Sequence, residues 1–159
     1  MKESFPPIVS PTARILILGS MPSEISLERQ EYYGNPLNQF WRIMQALYAI
    51  PADAAYPSRV AGLQQKGIAL WDVLHSCERI GSLDSAIKNP VPNDFAALFA
   101  SLPQLQLIAF NGAQAGAWFK RWGPQQTSPL KKLVLPSSSP AATIPFEKKL
   151  VAWSELQQA

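Results

Sequence analysis

Few side chains in this chain of 159 residues can do chemistry, and the missing ones are as informative as those present. There is one cysteine, Cys77, and one histidine, His75. A lone cysteine cannot make an internal disulfide, a Cys-rich zinc site or the thiolate cradle of an iron–sulfur cluster, and a single histidine argues further against zinc. No Gly-x-Ser-x-Gly elbow is present and no acid stands in a compatible triad with His75, which argues against a serine hydrolase. Cys77 lacks the neighbours that would make it a nucleophile, and His75 reads as a loop or core residue. What remains, apart from the acidic Asp72, is neutral: Gly19-Ser20-Met21-Pro22-Ser23, Asn38, Asn111-Gly112, and Ser137-Ser138-Ser139 between two prolines. Amides, hydroxyls and backbone N–H groups of this kind can orient a water or read the edge of a ligand.

All of these but Asn38 follow an apolar run. Arg14 to Gly19 is a continuous β-favouring segment ended by Gly-Ser, the pattern of a buried parallel strand followed by a functional turn. Ile68–Val73 predicts a second strand, Leu105–Phe110 a third that runs into Asn111-Gly112, and Lys132–Leu135 a fourth that runs into Pro136–Pro140. Phe40, Ile43, Met44, Leu47 and Tyr48 recur at helical spacing from Gln39 onward, with Pro51 closing the segment. Ser58 is placed to cap a helix over Val60–Lys66, and Asp94 one that runs through Ala100. Two more helices are predicted, one through the Ala-rich stretch to Trp122 and one from Pro145 towards Gln157. Glu78–Asn93 has no clear period and reads as a long ordered loop, which in a compact domain is often functional. Strand and helix alternate throughout, predicting an α/β fold with a mostly parallel sheet. In such sheets the ligand site lies outside the carboxyl ends of the strands, where the small polar stretches fall.

Composition agrees with a folded domain. The chain is 47% hydrophobic and 16% charged, against about 25% charged in average globular proteins, so disorder is excluded. The charge is mild, 14 Lys and Arg against 11 Asp and Glu, or +3; it permits a polyanion partner without implying one. The longest near-apolar run falls far short of the roughly 18–20 residues of a membrane span, and prolines near the start interrupt any signal-peptide core. The expectation is one domain over residues 1–159, in the cytoplasm. The 15 prolines fall mostly between apolar segments, as loop punctuation.

Five segments, GSMPS (19–23), YYGNPLNQFW (32–41), ALWDV (69–73), FNG (110–112) and LPSSSPA (135–141), occur in one order with one spacing. Together they resemble the uracil-DNA glycosylase superfamily, most of all its hypoxanthine-DNA (DNA-deoxyinosine) glycosylase branch, and are also similar to the mismatch-specific uracil glycosylases. The resemblance spans residues 13–155. It implies a three-layer α/β/α sandwich around a short, mostly parallel central sheet. It also implies a monofunctional, cofactor-free and metal-free hydrolase. That enzyme would cleave the N-glycosidic bond of deaminated bases in DNA, hypoxanthine preferred and uracil or xanthine admissible, and so initiate base excision repair. The partner implied is DNA containing such bases, the protein is expected to be a monomer, and with no lysine in the motif blocks no lysine-dependent strand cleavage is expected.

By the same resemblance Tyr33 is the aromatic on which an extruded base stacks, or else it begins a packed loop. Many relatives position the attacking water with an Asp or Asn in the first motif, where this chain has Met21. The catalytic amide is instead carried by Asn38, which could equally cap the helix at Gln39-Phe40. Gly19, Ser20 and Met21 would offer backbone N–H groups to the base edge. Asn111 would read a base edge or serve as the turn residue before Gly112, and Asp72 is expected to hold a pocket loop through backbone hydrogen bonds. Ser137, Ser138 and Ser139, where relatives carry a histidine, are expected to line the pocket and grip DNA phosphates, unless they form a generic turn. Lys131 and Lys132, if they flank that loop, would neutralise phosphates and make binding weaken with salt. Met21 and the absent histidine also suit an alternative, a DNA-damage-binding module of the same fold with little or no catalysis.

Overall fold

The structure, a computed structural model, describes residues 1–124 and 130–158. A short strand β1 (Lys2–Glu3) leads to β2 (Ile15–Gly19), α1 (Glu24–Arg29), α2 (Phe40–Tyr48) and α3 (Tyr56–Gln65). Then come β3 (Ile68–Asp72), β4 (Leu74–Glu78), β5 (Lys88–Pro92), α4 (Phe95–Ala100), β6 (Leu107–Asn111), α5 (Ala113–Trp122), β7 (Lys131–Leu135) and α6 (Phe146–Trp153).

β2, β3 and β6 are buried along their whole length, which is why they read as unbroken apolar runs instead of alternating ones. They form a parallel four-stranded sheet with β7, in the order β3-β2-β6-β7. Successive side chains point to opposite faces, and this period sorts the core into two. Ile15, Ile17, Ile68, Leu70, Leu107 and Ala109 pack with α2, α3 and α6. Leu16, Leu18, Ala69, Trp71, Ile108 and Phe110 pack with α4 and α5. The result is the three-layer α/β/α sandwich with a short parallel sheet. From β2 the chain adds β3 on one side, then crosses to add β6 and β7 on the other. The strand order therefore reverses between β2 and β6, and a crevice opens outside their carboxyl ends, at Gly19 and Asn111.

Three segments depart from the sequence expectations. The expected loop over 78–93 contains β5, which with β1 and β4 makes a separate antiparallel sheet in the order β1-β4-β5. β5 carries Pro90 and Pro92, is largely exposed and pairs with β4 through register shifts, so it has no period to read; prolines are tolerated because it is an edge strand. α1 was not anticipated because it buries only Ser26 and so has no apolar stripe; Ser23 caps it, its Oγ accepting from Ser26 N at 3.2 Å. α3 begins at Tyr56 and not after Ser58, because Pro57 sits in its first turn, where its missing N–H costs nothing. Asp94 caps α4 as expected, accepting from Ala96 N at 3.1 Å. Among the described residues no helix is long and apolar enough to cross a membrane.

Candidate active site

The crevice at the strand switch is a cleft of about 530 Å³, within the ~300–1,000 Å³ range of small-molecule sites. The Gly19–Ser23 turn, Tyr33 and Asn38, Asp72, the 82–85 turn, Asn111 with the first residues of α5, and the 137–142 loop line it. Six separated stretches of sequence thus meet in one place.

Gly19 is where the approach is tightest. A Cβ there would lie 2.5 Å from Asp72 Oδ1 and 2.7 Å from the Tyr33 hydroxyl, so only glycine fits. Beyond it, Gly19 O and Ser20 O accept from Val73 N (2.8 Å) and Leu74 N (3.2 Å), which fixes the turn. The N–H groups of Ser20 and Met21 have no partner among the described residues and remain available to a ligand. The Met21 side chain is buried in the α4/α5 core, so Met21 offers the cleft only its backbone.

Tyr33 adopts φ +54, a left-handed conformation that costs an aromatic residue about 1–3 kcal/mol and is typical of functional positions. Its neighbours hold it there. Tyr32 is buried, with its backbone engaged by Trp41 Nε1 (2.9 Å) and the Tyr56 hydroxyl (3.0 Å), while Gly34 N donates to Ser26 Oγ (2.9 Å). Phe40 stacks on the Tyr33 ring at 4.3 Å and 26°, backing a ring that borders the cleft. The Tyr33 hydroxyl is buried and makes no hydrogen bond of good geometry. Burial first, then the Asp72 charge, push its ionisation above the ordinary phenol value, with the neighbouring Asn111 amide opposing.

Asn38 lines the cleft and also starts α2: its Oδ1 accepts from Phe40 N at 2.9 Å, while the cap residue proper is Gln39. The capping and cleft positions therefore coexist, because a carbonyl oxygen has a second lone pair. Gln39 N donates to Ser138 O at 3.0 Å, tying this turn to the serine loop.

Asp72 is buried at the end of β3, and its Oδ2 has no hydrogen-bond partner. Burial, and then the Asp84 carboxylate, raise its pKa to about 7, with Arg79 opposing. Its backbone carbonyl accepts from Asn93 Nδ2 at 2.7 Å, a backbone hydrogen bond of the kind expected of Asp72, while its Oδ2 makes none. Behind the turn, Ser20 Oγ donates to Asp84 Oδ1 at 2.8 Å. The buried Arg79 donates through Nη2 to Pro22 O, while its Nε and Nη1 have no partner. Asp84 and Arg79 escaped sequence reasoning because both fall in the segment that lacks a period.

A family model described as the uracil DNA glycosylase superfamily matches residues 6–157. The chain belongs to this superfamily. A Methanosarcina acetivorans protein named hypoxanthine DNA glycosylase is 43% identical over 119 residues, covering 74% of this chain and 75% of its own. A Methanosarcina barkeri protein of the same name is 36% identical over 118 residues, with the same coverage. The NMR solution structure of an M. acetivorans protein described as a candidate uracil DNA glycosylase superposes with a TM-score of 0.85 at 37% identity, covering 98% of this chain and 95% of that one. The protein is a DNA N-glycosylase built on the superfamily's α/β fold.

For this glycosylase two placements differ from expectation and a third gains a partner. Asn111 lies in the cleft wall and its amide also braces Ser138: Nδ2 donates to Ser138 Oγ and Oδ1 accepts from Ser138 N, both at 2.8 Å. One N–H and one lone pair of the amide are outside this exchange. Ser138 is fully buried and so cannot face a phosphate, whereas Ser137 and Ser139 are partly exposed. Lys131 and Lys132 pair with Leu107 and Ile108 at the amino end of β6. With the cleft at the carboxyl ends, about 3.3 Å of rise per residue puts Lys132 roughly 10 Å along β7 from Leu135, after which the loop begins, so the two lysines do not flank the loop. His75, expected in a loop or in the core, is instead exposed on the strand β4, outside the cleft. Among the described residues no group of His, Cys, Asp and Glu is placed to hold a metal ion.

Proposed function

We propose that this glycosylase excises deaminated bases from DNA, hypoxanthine in preference to uracil or xanthine, as the opening step of base excision repair. The carrying observation is the Asp72 carboxyl, which lines the cleft beside Gly19 and Tyr33 with Oδ1 against Gly19 and a buried, unpartnered Oδ2. Unpartnered buried polar groups are rare and call for a partner. A deaminated base offers one, an N–H donor beside a carbonyl acceptor, which in hypoxanthine are N1–H and O6.

The remaining roles follow from the chemistry of excision. The base leaves the stack and lies against Tyr33. Backbone N–H groups at Ser20 and Met21 can only donate, so they favour a carbonyl at position 6 and oppose the amino group of an undamaged adenine. As the glycosidic bond lengthens, the sugar gains positive charge and the base negative charge. A neutral Asp72 tolerates that negative charge where an ionised one would repel it. The first N–H groups of α5 border the cleft and add the positive end of a helix dipole. Asn38 Oδ1, with its free lone pair, orients the water that attacks the sugar; an amide suffices because a dissociative reaction needs a placed water more than a strong base. The two relatives named hypoxanthine DNA glycosylase support hypoxanthine as a base that the cleft accepts.

The test is base release from oligonucleotides carrying one hypoxanthine, uracil or xanthine, single-stranded and duplex, with abasic sites revealed by alkali. Fastest cleavage at hypoxanthine supports the reading. Binding without release of any base would replace it with the damage-sensing alternative.

A further inference from the structure

We propose that Arg79 is a positioning residue for departure of the base. From behind the Gly19–Ser23 turn it fixes a peptide that faces the base, and it sets a buried positive charge against the negative charge that the base acquires. The inference rests on the base-excision reading of the cleft and adds to it the cation that the cleft wall lacks.

The N-glycosidic bond breaks with its electron pair on the base; water then bonds to the sugar carbon, and the proton it sheds neutralises the base. Of the described residues that line the cleft, the charged ones are Asp72 and Asp84, both acids. A full positive charge can therefore act only from behind the wall. Two cations are buried there, Arg79 at 6% exposure and Lys149 of α6 at 1%. Neither is in an ion pair among the described residues. Lys149 Nζ donates to Ser139 O at 3.3 Å, on the side of the serine loop. Of the two, Arg79 is the one whose charge reaches Asp72 and Asp84, where it favours the ionised forms.

The turn shows what Arg79 does besides. Gly19 O, Ser20 O and Pro22 O accept from Val73 N, Leu74 N and Arg79 Nη2 respectively. In a trans peptide the N–H points opposite to the C=O, so the N–H groups of Ser20, Met21 and Ser23 point away from these three donors. None of the three has a partner among the described residues, and all three residues line the cleft. Arg79 thus holds the third peptide as Val73 and Leu74 hold the first two.

A main-chain N–H could have made that bond. A guanidinium in its place is buried with Nε and Nη1 unpartnered, which destabilises the fold. A base turning anionic across the turn supplies the missing negative charge, and supplies it only as the bond breaks. The interaction therefore favours the transition state over bound substrate, which raises kcat and leaves KM alone. Arginine stays protonated throughout, so the charge persists at every working pH. The titratable groups that face Arg79 are Asp72 at the end of β3, Asp84 in the 82–85 turn, Glu24 of α1 and Cys77 of β4, with Lys2 of β1 bearing on the last two. Glu24 is paired with Lys2 at 3.2 Å and Asp84 accepts from Ser20 Oγ at 2.8 Å. Asp72 keeps an oxygen free of hydrogen bonds, so its titration reports the Arg79 charge most directly.

The experiment compares wild type with Arg79→Lys, which keeps the charge, Arg79→Gln, which keeps a donor for Pro22 O without the charge, and Arg79→Met, which keeps neither. Thermal melts first establish which variants are folded; either neutral variant suffices. For hypoxanthine, kcat is expected to fall about 10- to 100-fold in Arg79→Gln and Arg79→Met, the worth of one unit charge several ångströms away in a poorly solvated site, with KM little changed. Arg79→Lys keeps most of the rate. On 8-azahypoxanthine, an isostere whose extra ring nitrogen spreads the departing charge, the neutral variants lose several-fold less. Removing the cation also lets Asp72 hold its proton to higher pH, so the alkaline decline in rate moves up in the neutral variants and stays in place in Arg79→Lys. Wild-type rates in the neutral variants, an Arg79→Lys as slow as they are, a loss confined to KM, equal losses on the two bases or an unmoved alkaline decline would each overturn the proposal and leave base excision intact. The Asp72 carboxyl, followed by carbon NMR, should titrate higher in Arg79→Gln whether or not base is released. A wild type that releases no base overturns base excision, and the role of Arg79 in departure with it, even where that NMR shift shows its charge reaching the cleft.

Discussion

Asn111, the last residue of β6, and Ser138, in the loop after β7, exchange two hydrogen bonds of 2.8 Å, one through each end of the Asn111 amide. The pair is buried, and it joins the central sheet to the loop that forms one wall of the cleft. Gly112 follows at φ +101, packed so closely that a Cβ would lie 3.2 Å from Ser137 Cβ. The serine loop is therefore held from below by β6 and from the side by Gln39 N on Ser138 O.

That bracing sets the first prediction. Removing one partner leaves the other buried and unsatisfied, at a cost of about 1–3 kcal/mol. Ser138→Ala and Asn111→Ala are each expected to destabilise by about that amount, and the double variant by less than their sum, with a coupling of about 0.5–3 kcal/mol. Urea unfolding of the four proteins measures it. Strict additivity would mean that the pair does not brace the loop.

Asn38 makes a second prediction, because two duties can be separated there. Asn38→Ala loses both the bond to Phe40 N and the proposed water contact; losing the helix-start bond costs about 1 kcal/mol. Loss of a positioned polar group at the reaction centre costs about 100- to 1,000-fold in kcat. Asn38→Ser keeps a hydroxyl able to accept from Phe40 N, so it should recover stability without recovering rate. If stability and rate return together, the asparagine serves the helix and not the water.

Gly19→Ala is the third. The added methyl would meet Asp72 Oδ1 at 2.5 Å and the Tyr33 hydroxyl at 2.7 Å, both in packed surroundings, and overpacking of this kind costs about 1–3 kcal/mol. Activity should fall more than stability, since both displaced groups line the cleft. Thermal melts beside excision rates check this; normal excision would show that Tyr33 and Asp72 move aside freely.

The sequence made β2, β3 and β6 legible because burial on both faces fills them, up to their polar or glycine ends, with Ile, Leu, Ala, Phe and Trp. The cleft was legible for the same reason, since the ends of buried strands stand out against them. Gly19, Tyr33 and Asn38 were singled out by the resemblance of their segments to the superfamily, and all three reach the cleft. The exposed antiparallel sheet, and with it Arg79 and Asp84, was not legible, because a half-exposed edge strand with two prolines carries no period. The pairing of Asn111 with Ser138 lay equally out of reach: it joins residues 27 positions apart, and their types alone suit a base edge and a phosphate as well as they suit each other.

Asp72 gives the last prediction, in two measurements that share one titration. Its carboxyl titrates near 7 in the folded protein against an ordinary 3.8, so between pH 4 and 7 the native state holds a proton that the unfolded chain has released. Stability then falls as pH rises across that window; the full loss at pH 8 is on the order of a few kcal/mol. Asp84 is shifted in the same direction by burial, so Asp72→Asn should shallow this slope without abolishing it, and should raise the melting temperature most above pH 7. Excision follows the same group. Once Asp72 ionises, its charge opposes the negative charge gathering on the departing base, so kcat/KM for hypoxanthine should decline above about pH 7 in wild type. Asp72→Asn, which can still accept from N1–H and donate to O6, should hold its rate to pH 8.5 and there equal or exceed wild type. A variant with the stability change and an unaltered pH–rate profile would make Asp72 a buried acid of the fold with no contact to the base.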